Sequence, residues 1–344
     1  MLFNKDENGS VEIRNLTGSY YQTNEFSKIK TDVLLVQDEM IRLVGKEVFA
    51  RAQDYYDSDD FNSDGSSASA KDQALVEHLQ LPMAFKATFR HYQTNIVSHE
   101  DAGRKVKIDS TNEKLPWEWM LDRDDSAQIR KANETTDRLM RFLEEEEISE
   151  WLESSHRTAS RKLLINTAEL FHEAYPIDVS PRFFHTVAPF ILEVQNKQIK
   201  KALGTDFTPL LAYWQNFNTV EGSGSGSGPG SGLPAEPETN DYYENLLEMV
   251  QKVIPLLTMV IATKRLALAV MPDGVVQNFK SMFQARSSSQ AALPEVVKLH
   301  TAALQEEALD ALDDIKRVIL AADPEALDYQ FLPENDEENK FFRT

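Results

Sequence analysis

The chain has 344 residues, enough for two domains of ordinary size, and 41% of them are hydrophobic, enough to bury a substantial core. Its 36 basic and 56 acidic residues leave a formal charge of −20, a surface that repels phosphate backbones and excludes broad nonspecific nucleic-acid binding. The absence of cysteine excludes disulfides, thiolate nucleophiles and cysteine-ligated zinc together.

The first residues, Met1 to Glu7, carry no apolar signal core, so residues 1–28 are expected to form an arm of an intracellular protein. The first helix is expected from Thr31 through Met40 and Val44, with Gly45 late in the pattern suiting a helix break or tight turn. A small-polar stretch, Asp57 to Ala70, follows as a flexible loop. Within it, Asp60, Asn62 and Asp64 before Gly65 fit the first half of a calcium loop. Lys71 stands where the closing Glu belongs, which removes two oxygens and adds repulsion; an ordinary polar turn is the better reading, and no metal is expected.

An apolar helix with an interior proline, Leu79-Gln80-Leu81-Pro82-Met83-Ala84-Phe85, comes next, and then a third helix through Asp137 and Leu139. The run Glu144 to Glu147 before Trp151 reads as the acidic end of that helix. Residues 29–150 thus form one helical unit. A connecting segment, 151–186, contains the short helix or strand Leu163 to Phe171.

The same order then recurs over 187–322. Met40, Val44, Gly45 and Val48 fall on Ile199, Leu203, Gly204 and Phe207 at one constant offset. Pro82 falls on Pro255, and Leu139 on Leu312, at a second, larger offset. The change of offset lies in the Gly-Ser stretch 222–232, which composition marks as a random coil tolerant of insertion. Met40, Val44, Phe85, Ile199, Leu203, Phe207, Leu257 and Ile261 lie on apolar helical faces and are expected in the core. The apolar run Val253 to Ala262 is about ten residues long, roughly half a membrane span, and reads as a buried helix. The fold class expected is all-α, with an internally duplicated helical unit.

Residues 323–344 form a tail with Tyr329, Phe331, Phe341 and Phe342 beside Pro333 and an acidic stretch. Aromatic residues are scarce in disordered tails, so these four are candidate anchors for a neighbouring subunit or partner. Catalytic motifs are missing. The seven histidines form no HExxH pair, there is no GxSxG elbow, no phosphate loop precedes Gly45-Lys46, and the Gly-Ser stretch does not fit GxGxxG. Neither enzyme activity nor a cofactor is expected.

The helix closing on glycine, the variable loop, the proline-bearing helix, the Leu-Asp helix, Trp151 and the Asn166 to Phe171 passage together resemble an uncharacterised family of phage and prophage proteins from Bacteroides-like hosts. Each half is also similar to the head–tail connector (adaptor) proteins of tailed phages. That resemblance implies a structural virion component: a homo-oligomeric ring at the head–tail interface, assembled in the bacterial cytoplasm. It would lie between the portal protein and tail or stopper proteins, with double-stranded DNA passing without sequence-specific contact and no membrane involved. The likeness is one of helix pattern, so it carries over no individual functional residue. The alternative reading is a cytoplasmic helical interaction module unrelated to virions.

Overall fold

The structure, a computed structural model, describes residues 1–18, 25–61, 67–94, 98–100, 103–105, 117–221, 237–266, 268–271, 274–277 and 294–323. The fold is all-α. In chain order the helices are α1 (Gly9–Thr17), α2 (Phe26–Val44), α3 (Lys46–Asp57), α4 (Ser67–Thr94), α5 (Glu118–Glu145), α6 (Ser149–Leu152), α7 (Ser155–Ser160), α8 (Ala168–Ala174), α9 (Pro181–Val194), α10 (Lys200–Leu203), α11 (Phe207–Glu221), α12 (Pro237–Leu266) and α13 (Pro294–Ala322). A π-helical turn, Gln195–Ile199, joins α9 to α10. Two short two-stranded ribbons, the first antiparallel, are the only strands among the described residues. β1 (Ser98–Glu100) pairs with β2 (Gly103–Lys105) between α4 and α5, and β3 (Leu268–Met271) lies beside β4 (Gly274–Gln277) between α12 and α13.

The chain divides into two compact units. Among the described residues the first is built on 1–160, 180–186 and Gln277, the second on 161–179, 187–276 and 294–323. In the first, α4 is the central helix and packs against α5, α2, α3 and α1. Ile29, Val33, Val36, Met40 and Val44 recur every three or four residues along α2 and are all sealed from solvent, which is why this stretch is a helix with one buried stripe. The helix stops at Gly45, whose φ of 98° and ψ of 154° belong to a backbone region that only glycine occupies cheaply. The chain then re-enters a helix at once, so Val48 still joins the core of its predecessors. α4 already begins at Ser67, inside the stretch expected to be flexible, and it carries Pro82 in its interior.

The N-terminal residues are part of this first core. Leu2, Phe3 and Ile13 are fully or almost fully buried, and Gln80 of α4 donates to the Leu2 carbonyl at 2.6 Å. At the far end, α5 closes with Glu147 in the left-handed region, φ 49°, while Ile148 N–H reaches back to the Leu143 carbonyl at 3.2 Å. This is the six-to-one bond of a helix-ending turn, normally made by glycine. Ile148 and Trp151 are buried just beyond it, and their packing holds the strained residue in place.

In the second unit α12 packs against α13, α8 and α11. The passage Arg161 to Thr167 is a turn, neither helix nor strand. Three side chains from separate elements satisfy its backbone: Leu164 N–H donates to Gln195 at 2.9 Å, Trp214 Nε1 donates to the Leu163 carbonyl at 2.8 Å, and Gln251 donates to the Leu164 carbonyl at 2.9 Å. Buried backbone groups need such partners, and here they fix where Leu163, Leu164 and Ile165 enter the core. α8 follows, with the Thr167 hydroxyl accepting from Leu170 N–H at its start. α10 ends at Gly204, φ 56° and ψ −119°, another conformation that suits glycine. α12 carries Pro255 inside it, and α13 buries Thr301, Leu304, Ala308, Leu312, Ile315 and Ile319 along one face.

Of the eight residues expected in the core, Met40, Val44, Phe85, Ile199, Leu203, Phe207 and Leu257 are buried. Ile261 is only half-buried, because it lies one turn from the exposed, charged end of α12 at Lys264 and Arg265.

Candidate functional site

The N-terminal arm closes over one cavity of the first unit, about 350 Å³ in volume, lined by Glu12, Leu16, Phe61, His78, Gln80 and Arg138 among others. Its polar groups are mostly committed to structure. Tyr56 donates its hydroxyl to Glu12 at 3.0 Å, and Asn4 N–H donates to the same carboxylate at 3.0 Å. Lys5 donates to the carbonyls of Tyr56 and Ser58, and its ammonium sits 5.2 Å from the centre of the Phe61 ring. Burial raises the Glu12 pKa above the usual carboxylate value, against these hydrogen bonds. His78 stacks on Phe142 with ring centres 4.3 Å apart, and burial together with the Arg138 charge lowers its pKa, so it is neutral at pH 7. Among the described residues the lining contains no serine, threonine, cysteine or lysine that could serve as a nucleophile.

His156 is exposed on α7, and four other histidines have partners. His91 is buried beside Asp32, with Nδ1 3.6 Å from its carboxylate. His185 meets the edges of Trp151 and Phe184 at 5.8 and 5.7 Å, and burial depresses its pKa to about 4. His172 Nδ1 accepts from Ile177 and Val179 N–H, closing a turn in which Asp178 and Val179 both have positive φ. His300 pairs with the Tyr175 hydroxyl at 3.2 Å.

The calcium-loop candidates are divided by the limits of the described structure. The carbonyl of Asp60 accepts the Tyr55 hydroxyl at 3.2 Å, as in an ordinary turn, whereas Asn62 and Asp64 lie outside the described residues. Among the described residues no three His, Asp or Glu side chains are grouped to hold a metal ion. The four anchor candidates Tyr329, Phe331, Phe341 and Phe342, and the Gly-Ser stretch 222–232, also lie outside them.

A different surface stands out. α5 buries its C-terminal half through Leu139, Met140 and Leu143, but its beginning exposes Trp119, Met120 and Leu121, with Trp117 at the N-cap 72% exposed. α13 repeats the arrangement: Val296 is exposed and Leu299 is 73% exposed, before the buried face begins at Thr301. Large apolar residues gathered at a helix start are uncommon on the surface of a lone chain, and such groups mark sites of protein contact. Sequence reasoning passed over them, although the adjacent Trp117-Glu118-Trp119-Met120-Leu121 is an apolar density that no buried stripe of α5 requires.

Comparison with known protein families, curated proteins and solved structures gives no match to this chain.

Proposed function

We propose that this chain is a structural assembly component, a head–tail connector (adaptor) that forms a ring of like subunits at the portal of a tailed phage or prophage. In this reading its two units arose by duplication, it performs no catalysis, and portal and tail or stopper proteins are its neighbours. The observation that carries the reading is the pair of exposed apolar helix starts, Trp117 to Leu121 on α5 and Val296 to Leu299 on α13, one in each unit. Contacts between unlike surfaces of identical subunits close into rings when the rotation permits, and two separate apolar surfaces per chain supply what such a contact needs. The net charge of −20 supports the same reading, because an acidic channel wall holds DNA weakly and lets it slide.

Mass photometry of the full chain, alone and with a portal ring, tests this directly. The expected result is a closed oligomer of defined mass that Trp119→Glu returns to monomers, since a charge at a desolvated contact is left unpaired. A protein that stays monomeric under both conditions contradicts the connector reading and leaves the interaction-module alternative.

A further inference from the structure

Residues 1–5 are seated in the first unit like a plug. Leu2 and Phe3 are sealed in its core, and α3 and α4 hold the main chain on either side of them. Gln53 and Gln80 donate to the carbonyls of Met1 and Leu2, at 3.3 and 2.6 Å. Lys5 N–H donates to the Tyr56 hydroxyl at 2.7 Å, and its ammonium donates to the carbonyls of Tyr56 and Ser58. The start of α1 is equally fixed, because Gly9 packs so closely on the Phe26 ring that no side chain fits there.

Asp6, Glu7 and Asn8 alone join these two fixed points, and all three are exposed. The turn they make is strained. Asp6 and Glu7 have φ values of 52° and 62°, consecutive positions in the left-handed region, where Cβ crowds the following carbonyl and glycine is the ordinary occupant. Strain of this kind gathers at segments that have a second arrangement. Here the contacts define what that arrangement is. An extended Asp6–Asn8 has ordinary φ values and carries the plug away from its own body. Every group that receives the plug is present in identical form on another copy of the chain.

We propose that residues 1–5 exchange between copies of this chain, the plug of one filling the socket on α3 and α4 of another. The exchanged form keeps the contacts of Leu2, Phe3 and Lys5 and releases the turn at Asp6 and Glu7. A strained hinge beside a self-complementary element is what favours such swapping. The exchange gives up the Asn8 N–H bond to the Lys5 carbonyl, 3.1 Å long, at an exposed turn where water replaces it. The lost freedom of two chains opposes it, so exchange rises with concentration. Three extended residues span about 10 Å, so the two copies meet at the start of α1. These are other residues than the exposed starts of α5 and α13, and the exchange does not depend on the connector reading.

The chain has no cysteine, so engineered thiols report the exchange without a competing one. Two full-length chains are mixed at high concentration, one carrying Lys5→Cys and the other Ser58→Cys, and treated with a short bismaleimide. Both also carry Trp119→Glu, so the α5 contact contributes nothing. A covalent heterodimer is the expected product, above the collisional background set by replacing the Ser58→Cys chain with Lys252→Cys, an exposed position of the second unit. A dilute single chain with both Lys5→Cys and Ser58→Cys shows that the reagent spans a seated plug. The heterodimer yield should fall about fivefold with Glu7→Gly, which relieves the closed turn, and rise about fivefold with Asp6→Pro, whose ring forbids a positive φ. If Asp6→Pro expels the plug without exchange, the comparison with Glu7→Gly decides. Absence of heterodimer above background, in chains whose doubly substituted counterpart cross-links, overturns the proposal. A yield that Glu7→Gly leaves unchanged overturns it as well. Rings that form or fail to form in the unsubstituted chain bear on the connector reading alone.

Discussion

His185 shows how one residue couples packing to pH. Its ring lies between Trp151 and Phe184, where burial and the neighbouring His156 charge favour the neutral form, with Glu144 opposing them, and its pKa falls to about 4. An unfolded histidine titrates near 6.5. Between these values the unfolded chain binds more protons than the folded one, so stability rises with pH across the window and is lost as pH falls through it. The loss from this residue should approach about 3 kcal/mol by pH 4, each pKa unit being worth about 1.4 kcal/mol. His78 and His91, whose pKa values are also lowered by burial, should add to it in the same direction. Urea unfolding at pH 7 and pH 4.5 measures the slope, and His185→Phe should flatten it while leaving the neutral-pH stability nearly intact. An identical slope in the variant would place the acid sensitivity elsewhere.

Helices and their ends carried most of what the sequence disclosed. A buried stripe repeats every three or four residues whatever it packs against, so α2, α4, α12 and α13 were legible from their own residues. Gly45 and Gly204 were legible as breaks because their φ values, 98° and 56°, are ones that side chains disfavour. What stayed hidden depends on distant partners. Nothing local announces that Leu2 and Phe3 enter the core, since α4 provides the pocket and Gln80 the hydrogen bond. The turn from Arg161 to Thr167 is likewise set by Gln195, Trp214 and Gln251, which lie far along the chain. The exposed Trp117 and Leu299 were missed for the opposite reason: an apolar residue reads as core until a structure shows which ones have no partner. The stripe argument also gives a graded expectation for α10 and α12. Leu203 is sealed, so Leu203→Ala should cost about 2–5 kcal/mol by urea unfolding, whereas the half-buried Ile261 should cost clearly less on the same change. Equal losses would mean that burial at the end of α12 is greater than its exposure indicates.

At the scale of the molecule, α2 to α5 run as a helix ending at glycine, a second helix, a long helix with an interior proline, a short ribbon and a long closing helix, and α10 to α13 follow a similar order, while α1 and α6 to α8 have no counterpart in it. The proline-bearing helix packs along the closing helix in each, α4 on α5 and α12 on α13, but the other contacts differ: α2 packs on α4, whereas α10 packs on α13 and α12 on α8. Each unit also has its own buried stripes, Val33 to Val44 in one and Leu304 to Ile319 in the other. A unit with its own core should open as a unit, which native-state hydrogen exchange resolves. Val44→Ala removes two methyl groups from a fully buried site of the first unit, and Leu203→Ala opens a cavity in the second. The first change should lower amide protection through α2, α3, α4 and the C-terminal half of α5 while leaving α12 and α13 protected as before. The second should do the converse. If either substitution lowered protection equally in all these helices, the two units would unfold as one, and their common order of elements would not reflect two independent folding modules.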